Sequence, residues 1–148
     1  MSLRFREARR EDVPAVVALL ADDMLGQGRE RAGLEPYLAA FDAMQREPGN
    51  RVFVGERDGV VVATYQLTFI SGLSLAAARR AQVESVRVAG ALRGQGVGQL
   101  MFADIEARAK AAGCSLVQLT MNAARVDSRR FYEGLGFEAS HLGFKKYL

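Results

Sequence analysis

The chain has 148 residues, 49% of them hydrophobic, and carries 20 Lys and Arg against 17 Asp and Glu for a net charge of +3. That balance excludes a disordered chain and a staple-dependent mini-domain, and predicts a single domain over residues 1–148. One cysteine excludes an internal disulfide and a cysteine zinc site, no apolar run approaches a membrane span of ~20 residues, and the scattered basic excess argues against nucleic acid. The opening MSLRFREARRED lacks a signal-peptide apolar region, so a cytoplasmic protein is expected.

In chain order, Leu3 to Ala8 alternates apolar and basic residues as a short half-buried strand. Asp12 reads as an N-cap and Pro14 as a first-turn residue of an amphipathic helix through Val13, Val16, Val17, Leu19 and Leu20 to about Met24. Gly26 to Gly28 breaks it, and the polar stretch GQGRERAG reads as a mobile connection bordering a substrate site. A second helix is expected from Glu35 to Gln45, ended by Pro48-Gly49-Asn50. Arg51 to Glu56 and Val60 to Phe69 form a hairpin about Asp58-Gly59, with Val61, Ala63, Tyr65, Leu67 and Phe69 on one face. Residues 71–80 read as a loop, and Gln82 to Val88 as a strand with Glu84, Val86 and Val88 on one side.

A helix follows, with Val97, Leu100, Met101, Ile105, Ala109 and Ala112 at helical spacing and Gly113 as its stop. Leu116 to Met121 is an apolar strand, and Asp127 or Ser128 caps a short helix closed by Gly134 and Gly136. Phe137 onward is extended, with a last strand at Phe144 to Leu148. The fold class is α/β of the α+β type: a mixed, mostly antiparallel sheet of six to seven strands with helices on both faces.

Between the strand ending at Val88 and the following helix lies Arg93-Gly94-Gln95-Gly96-Val97-Gly98. A strand that enters a glycine turn and opens into a helix holds a phosphate: glycine admits close approach, and the first helical amides have no intrahelical acceptors. A P-loop needs G-x-x-x-x-G-K-S/T, which neither Gly90 nor Gly94 begins. A dinucleotide fingerprint needs a third glycine where Gln99 stands, and an early βαβ unit. What fits is R-x-x-G-x-G. With Ser128-Arg-Arg-Phe131-Tyr132-Glu-Gly-Leu-Gly136-Phe137, of the pattern F-Y-x-x-x-G-F, the sequence resembles the GNAT superfamily of N-acetyltransferases. The resemblance is strong over residues 80–148 and extends to the first half in element order.

The resemblance implies the acyl-CoA N-acyltransferase fold and acetyl-CoA as acetyl donor, with no metal. The pyrophosphate would lie on Arg93, Gly94, Gln95, Gly96, Val97 and Gly98, and the pantetheine arm along Val86, Arg87 and Val88. Transfer to an amine needs a neutral nitrogen; freeing a lysine-like ammonium near pH 7.5 costs roughly 4 kcal/mol. Glu84 is the implied general base, directly or through water, against the alternative of a strand glutamate pairing with Arg79 or Arg80. A backbone N–H at Val86 or Arg87 would steady the thioester oxygen. Tyr132 is the implied acid to the CoA thiolate, against a core aromatic beside Phe131. Asn122 is either a CoA contact or a turn closer, and Arg129 and Arg130 either reach the 3′-phosphate or form a solvated helix face. Cys114 reads as a packing residue in preference to an acyl carrier, and the lone His141 as structural. The expected function is direct acetyl transfer to a small amine or a protein amine, with a non-catalytic CoA-binding regulatory domain as the alternative. No membrane or nucleic-acid partner is expected, and the final strands are compatible with a homodimer.

Overall fold

A computed structural model of the chain describes residues 2–22 and 33–148. The chain divides into two compact units at Gln118/Leu119. The main elements in order are β1 (Arg4–Glu7), α1 (Val13–Ala21), α2 (Leu34–Arg46), β2 (Asn50–Arg57), β3 (Val60–Ile70), β4 (Arg80–Val88), α3 (Val97–Ala111), β5 (Leu116–Leu119) and α4 (Val126–Gly134), with a single left-handed turn at Ser74–Ala77 in the expected loop between β3 and β4. The expected end of the first helix near Met24, the break at Gly26 to Gly28 and the polar connection up to residue 32 lie outside the described residues.

The strands form one sheet in the order β1-β2-β3-β4-β5, antiparallel from β1 through β4. Among the described residues there are five strands, where six to seven were expected, because residues 135–148 join no ladder. Leu142, Phe144, Tyr147 and Leu148 are all exposed. An apolar, extended stretch becomes a strand only where its N–H and C=O groups meet a neighbour, which composition does not report.

Helices cover both faces. On one, α3 buries Val97, Met101, Phe102, Ile105 and Ala109, an i, i+4 stripe with Phe102 beside it. Leu100 is exposed, contrary to expectation: at 100° per residue it lies roughly 130° round from that stripe. On the other face, Ala8, Val13, Phe41 and Val54 are buried together with Val16, Val17, Tyr37, Leu38, Val52 and Val61 packed against them. Asp12 does not cap α1. Its carboxylate accepts from Arg6 Nη1 and Nη2 at 2.8 and 3.0 Å and from the Arg9 N–H at 2.7 Å, bracing the turn before the helix.

Asp58 (φ 52°) and Gly59 (φ 77°) make the tight hairpin turn that their residue types demand. Two irregularities shift faces along the strands. At Gly55/Glu56 the register moves by one, so Val62 is surplus and Val61 joins the Val54 side instead of the Ala63 side. In β4, Gln66 pairs with Glu84 and Thr64 with Arg87, which leaves Ser85 and Val86 opposite Tyr65. This β-bulge corrects the expectation that Glu84, Val86 and Val88 share a side: Glu84 lies on the Gln66 face and Val88 on the Ala63 face.

Candidate active site

The glycine loop leaves β4 through a 3-10 turn at Gly90–Leu92 and enters α3 at Gly96, whose φ is 82°. Gly94 is also left-handed, at 77°, and a side-chain carbon at either position would meet nothing within 4 Å. Gly94, Gln95 and Gly96 are exposed, so the unpaired first amides of α3 open onto an accessible cradle suited to an anion. Arg93 Nη2 donates to the Asp22 carbonyl at 3.1 Å, tying the loop to the end of α1, and Gln95 Nε2 donates to the Ala91 carbonyl at 3.0 Å. Both side chains thus brace the loop while its backbone faces outward.

The bulge lies in the same unit. Ser85 holds φ at 54°, a left-handed conformation uncommon outside glycine. Tyr65, opposite it, is fully buried and donates to Asp104 Oδ2 at 2.5 Å; Arg108 Nε reaches the same oxygen at 2.8 Å. The Arg108 guanidinium lies 4.3 Å from the Phe53 ring centre. Burial first, then the Asp104 carboxylate, pushes the Tyr65 phenol well above its ordinary range. The strand facing the bulge is therefore pinned to α3.

Glu84 is exposed and, among the described residues, makes no ion pair; Arg79 is engaged by the Ala112 carbonyl and Ser71. A cavity of about 50 Å³ is walled by Val16 and Leu20 of α1, Val52 of β2, Thr64, Tyr65 and Gln66 of β3, and Ser85, the residue after Glu84. The structure thus brings Glu84, Ser85, Val86, Arg87 and Gln66 together at the bulge. Ser85, Gln66 and Asn50 were missed by sequence reasoning. Gln66 does carry a signal, since Thr64, Gln66 and Thr68 are the polar half of an alternating strand.

In the second unit, the F-Y-x-x-x-G-F motif has a physical basis: it is a helix stop. Gly136, at φ 95°, donates to the Glu133 carbonyl, and the Phe137 N–H reaches back to the Tyr132 carbonyl at 3.1 Å. The Tyr132 and Phe137 rings meet edge to face with centres 5.9 Å apart, the apolar contact that accompanies this closure. The Phe131 ring also meets that of Tyr132 edge to face, with centres 5.4 Å apart. The helix begins at Val126, so Asp127 lies in its first turn and is not the cap. Asn122 Oδ1 accepts from the Ala124 N–H at 2.9 Å, closing a turn, and exposed Arg129 pairs with Glu133 one turn on. Cys114 is a half-buried free thiol, and His141 is exposed beside Ser140. Among the described residues no group of three metal-ligating side chains occurs, and no helix is long and apolar enough to cross a membrane.

The model of the acetyltransferase (GNAT) family matches residues 14–137. The chain belongs to this family. A relative from Salmonella typhimurium, aminoalkylphosphonate N-acetyltransferase, is 29% identical over 143 residues, covering 97% of this chain and 90% of the relative. Among solved structures, a Bacillus halodurans protein described as a transcriptional regulator superposes with a TM-score of 0.94 at 39% identity, over 99% of this chain and all of that one. An acetyltransferase-type protein from Agrobacterium tumefaciens gives 0.86 at 30% identity over the full length of both. The GNAT chain is an acetyl-CoA-dependent N-acetyltransferase.

Proposed function

We propose that this GNAT enzyme acetylates a small primary amine by direct attack on acetyl-CoA. Glu84 accepts the ammonium proton through an ordered water, and Tyr132 protonates the departing CoA thiolate. The observation that carries this reading is the bulge at Ser85–Val86. A bulge takes a residue out of the ladder and frees backbone polar groups, here one residue beyond an exposed, ion-pair-free carboxylate. The N–H of Val86 or Arg87 steadies the thioester oxygen as charge builds on it.

Acetyl-CoA supplies the activated acetyl group. Its pyrophosphate is held by the amides of Arg93, Gly94, Gln95, Gly96, Val97 and Gly98, and its pantetheine arm runs beside Val86, Arg87 and Val88. Asn122 and Arg129 contribute outer CoA contacts. The open space at Gly94 and Gly96 and the bracing of Arg93 and Gln95 support a backbone cradle in place of a side-chain clamp. The Salmonella relative named for aminoalkylphosphonates supports a small aliphatic amine over a protein amine.

The test is CoA release from a panel of primary amines at saturating acetyl-CoA, across pH 6–9. Glu84→Gln is expected to lower kcat by about 10²-fold or more, and Tyr132→Phe by at least about tenfold, with acetyl-CoA KM little changed. Full turnover by both variants across that range rejects the two roles.

A further inference from the structure

The cavity has apolar residues Val16, Leu20 and Val52 in its wall, together with Gln66, the ladder partner of Glu84, and Ser85, the next residue in the chain. Serine at φ 54° is strained where glycine would not be, and unlike the left-handed Leu75, Ala76 and Ala77 it brings a hydroxyl to that position. Among the described residues Ser85 Oγ has no hydrogen-bond partner, whereas the nearby Thr64 hydroxyl is spent on the Phe53 carbonyl at 2.9 Å.

The orientation of Gln66 is fixed by a chain of bonds ending on a carboxylate. Glu47 only accepts, so Asn50 must present Nδ2 to it, at 2.7 Å. Asn50 Oδ1 is then the acceptor for Gln66 Nε2 at 2.9 Å and for Thr68 Oγ1 at 3.2 Å. Gln66 therefore uses its donor edge on Asn50, and Oε1 is the end without a protein partner among the described residues. Across the ladder, the residue paired with Gln66 is Glu84.

We propose that Gln66 Oε1 and Ser85 Oγ hold the acceptor's primary ammonium beside Glu84, with its alkyl carbons against Val16, Leu20 and Val52. A primary ammonium carries three N–H groups, matched by the Ser85 hydroxyl, the Gln66 carbonyl and the water held on the Glu84 carboxylate. One proton leaves for Glu84 through that water; the nitrogen then turns its lone pair onto the thioester carbon, giving up one of the two remaining hydrogen bonds. The C–S bond breaks after the N–C bond forms, Tyr132 protonates the thiolate, and the second nitrogen proton returns to the phenolate. A water needs roughly 10–15 Å³ of such space, so a cavity of about 50 Å³ suits a short alkyl chain. N-methylated amines lack the third N–H and are selected against. The assignment rests on Glu84 as base.

The experiment takes the best primary amine from a panel of alkylamines and aminoalkylphosphonates, together with its N-methyl derivative. Wild type is expected to prefer the primary form by more than about tenfold. Ser85→Gly is expected to raise the amine KM by about five- to tenfold, leave the acetyl-CoA KM within about twofold, and raise the melting temperature. Gln66→Leu is expected to raise the amine KM alike and, with Ser85→Gly, to narrow the primary preference. Wild-type amine KM and preference in both variants overturn the pocket, as does a wild type indifferent to N-methylation. If Glu84→Gln keeps full turnover while these two variants lose amine affinity, the base falls and the pocket stands; the reverse pattern removes the pocket alone.

Discussion

Tyr65→Phe isolates one hydroxyl in a fully buried setting. The Tyr65 ring has no solvent exposure, and its hydroxyl donates to Asp104 Oδ2, which Arg108 also contacts at 2.8 Å. Phenylalanine leaves Asp104 still paired, so the loss is one hydrogen bond to a charged group, about 1.5–3 kcal/mol. For a chain of this size that lowers the melting temperature by about 3–12 °C. The pH dependence is sharper. Burial and the neighbouring carboxylate raise the phenol's pKa in the folded state, while an unfolded tyrosine titrates near 10. Above about pH 10 the unfolded chain therefore binds fewer protons than the folded one, and stability falls by roughly 1.4 kcal/mol per pH unit from this group. Wild type should lead Tyr65→Phe by a constant margin up to about pH 10 and lose that margin by about pH 11–12. Urea unfolding of both proteins from pH 7 to 12, read as their difference, cancels the other titrating groups. A gap unchanged to pH 12, or one under about 0.5 kcal/mol at pH 8, refutes the reasoning.

Asp12→Asn should cost about 2–4 kcal/mol at pH 7, since it weakens the hold on the half-buried Arg6 guanidinium. The Arg6 hydrogen bond keeps the Asp12 pKa below its ordinary value, so this stability is present above about pH 4 and lost as pH falls through the folded pKa. Urea unfolding curves that stay equally separated down to pH 2 would contradict it. Gly96→Ala should cost about 1 kcal/mol in thermal unfolding and weaken acetyl-CoA binding. The added carbon meets open space, so the penalty is the left-handed backbone alone; an alanine variant as stable as wild type would exclude that account. CoA at 100 times its Kd should add about 2.7 kcal/mol, a rise of about 5–11 °C, and stabilisation by ATP or NAD without any by CoA would count against the cradle.

Features set by neighbouring residues were legible in the sequence. Asp58-Gly59 gave its hairpin because both residues tolerate positive φ, and Gly113 its helix stop at φ 79° for the same reason. The glycine loop and the F-Y-x-x-x-G-F motif were legible as patterns, and the second has a cause in the closure of α4 by Gly136 and Phe137. What depends on distant partners was not. Leu100 fits a helical spacing but points away from the sheet, Val61 changes face at a register shift, and residues 135–148 join no ladder. Ser85 was hidden for a different reason: serine carries no signal for a left-handed backbone, and only the cross-strand register reveals it. The unspent oxygens of Ser85 and Gln66 were illegible with it.

β4 has nine residues in sequence, yet it faces only the eight from Ala63 to Ile70. The ladder on either side is in register, so Ser85 is one residue more than the sheet requires. Deleting it would bring Val86 opposite Tyr65 and leave Val88 on Ala63 and Val83 on Leu67, with no core side chain changing face. The register of the sheet and the presence of residue 85 are thus separable at a single peptide unit. A substitution at this surplus position therefore leaves Val83 on Leu67 and Val88 on Ala63, with the core side chains beneath it on their present faces.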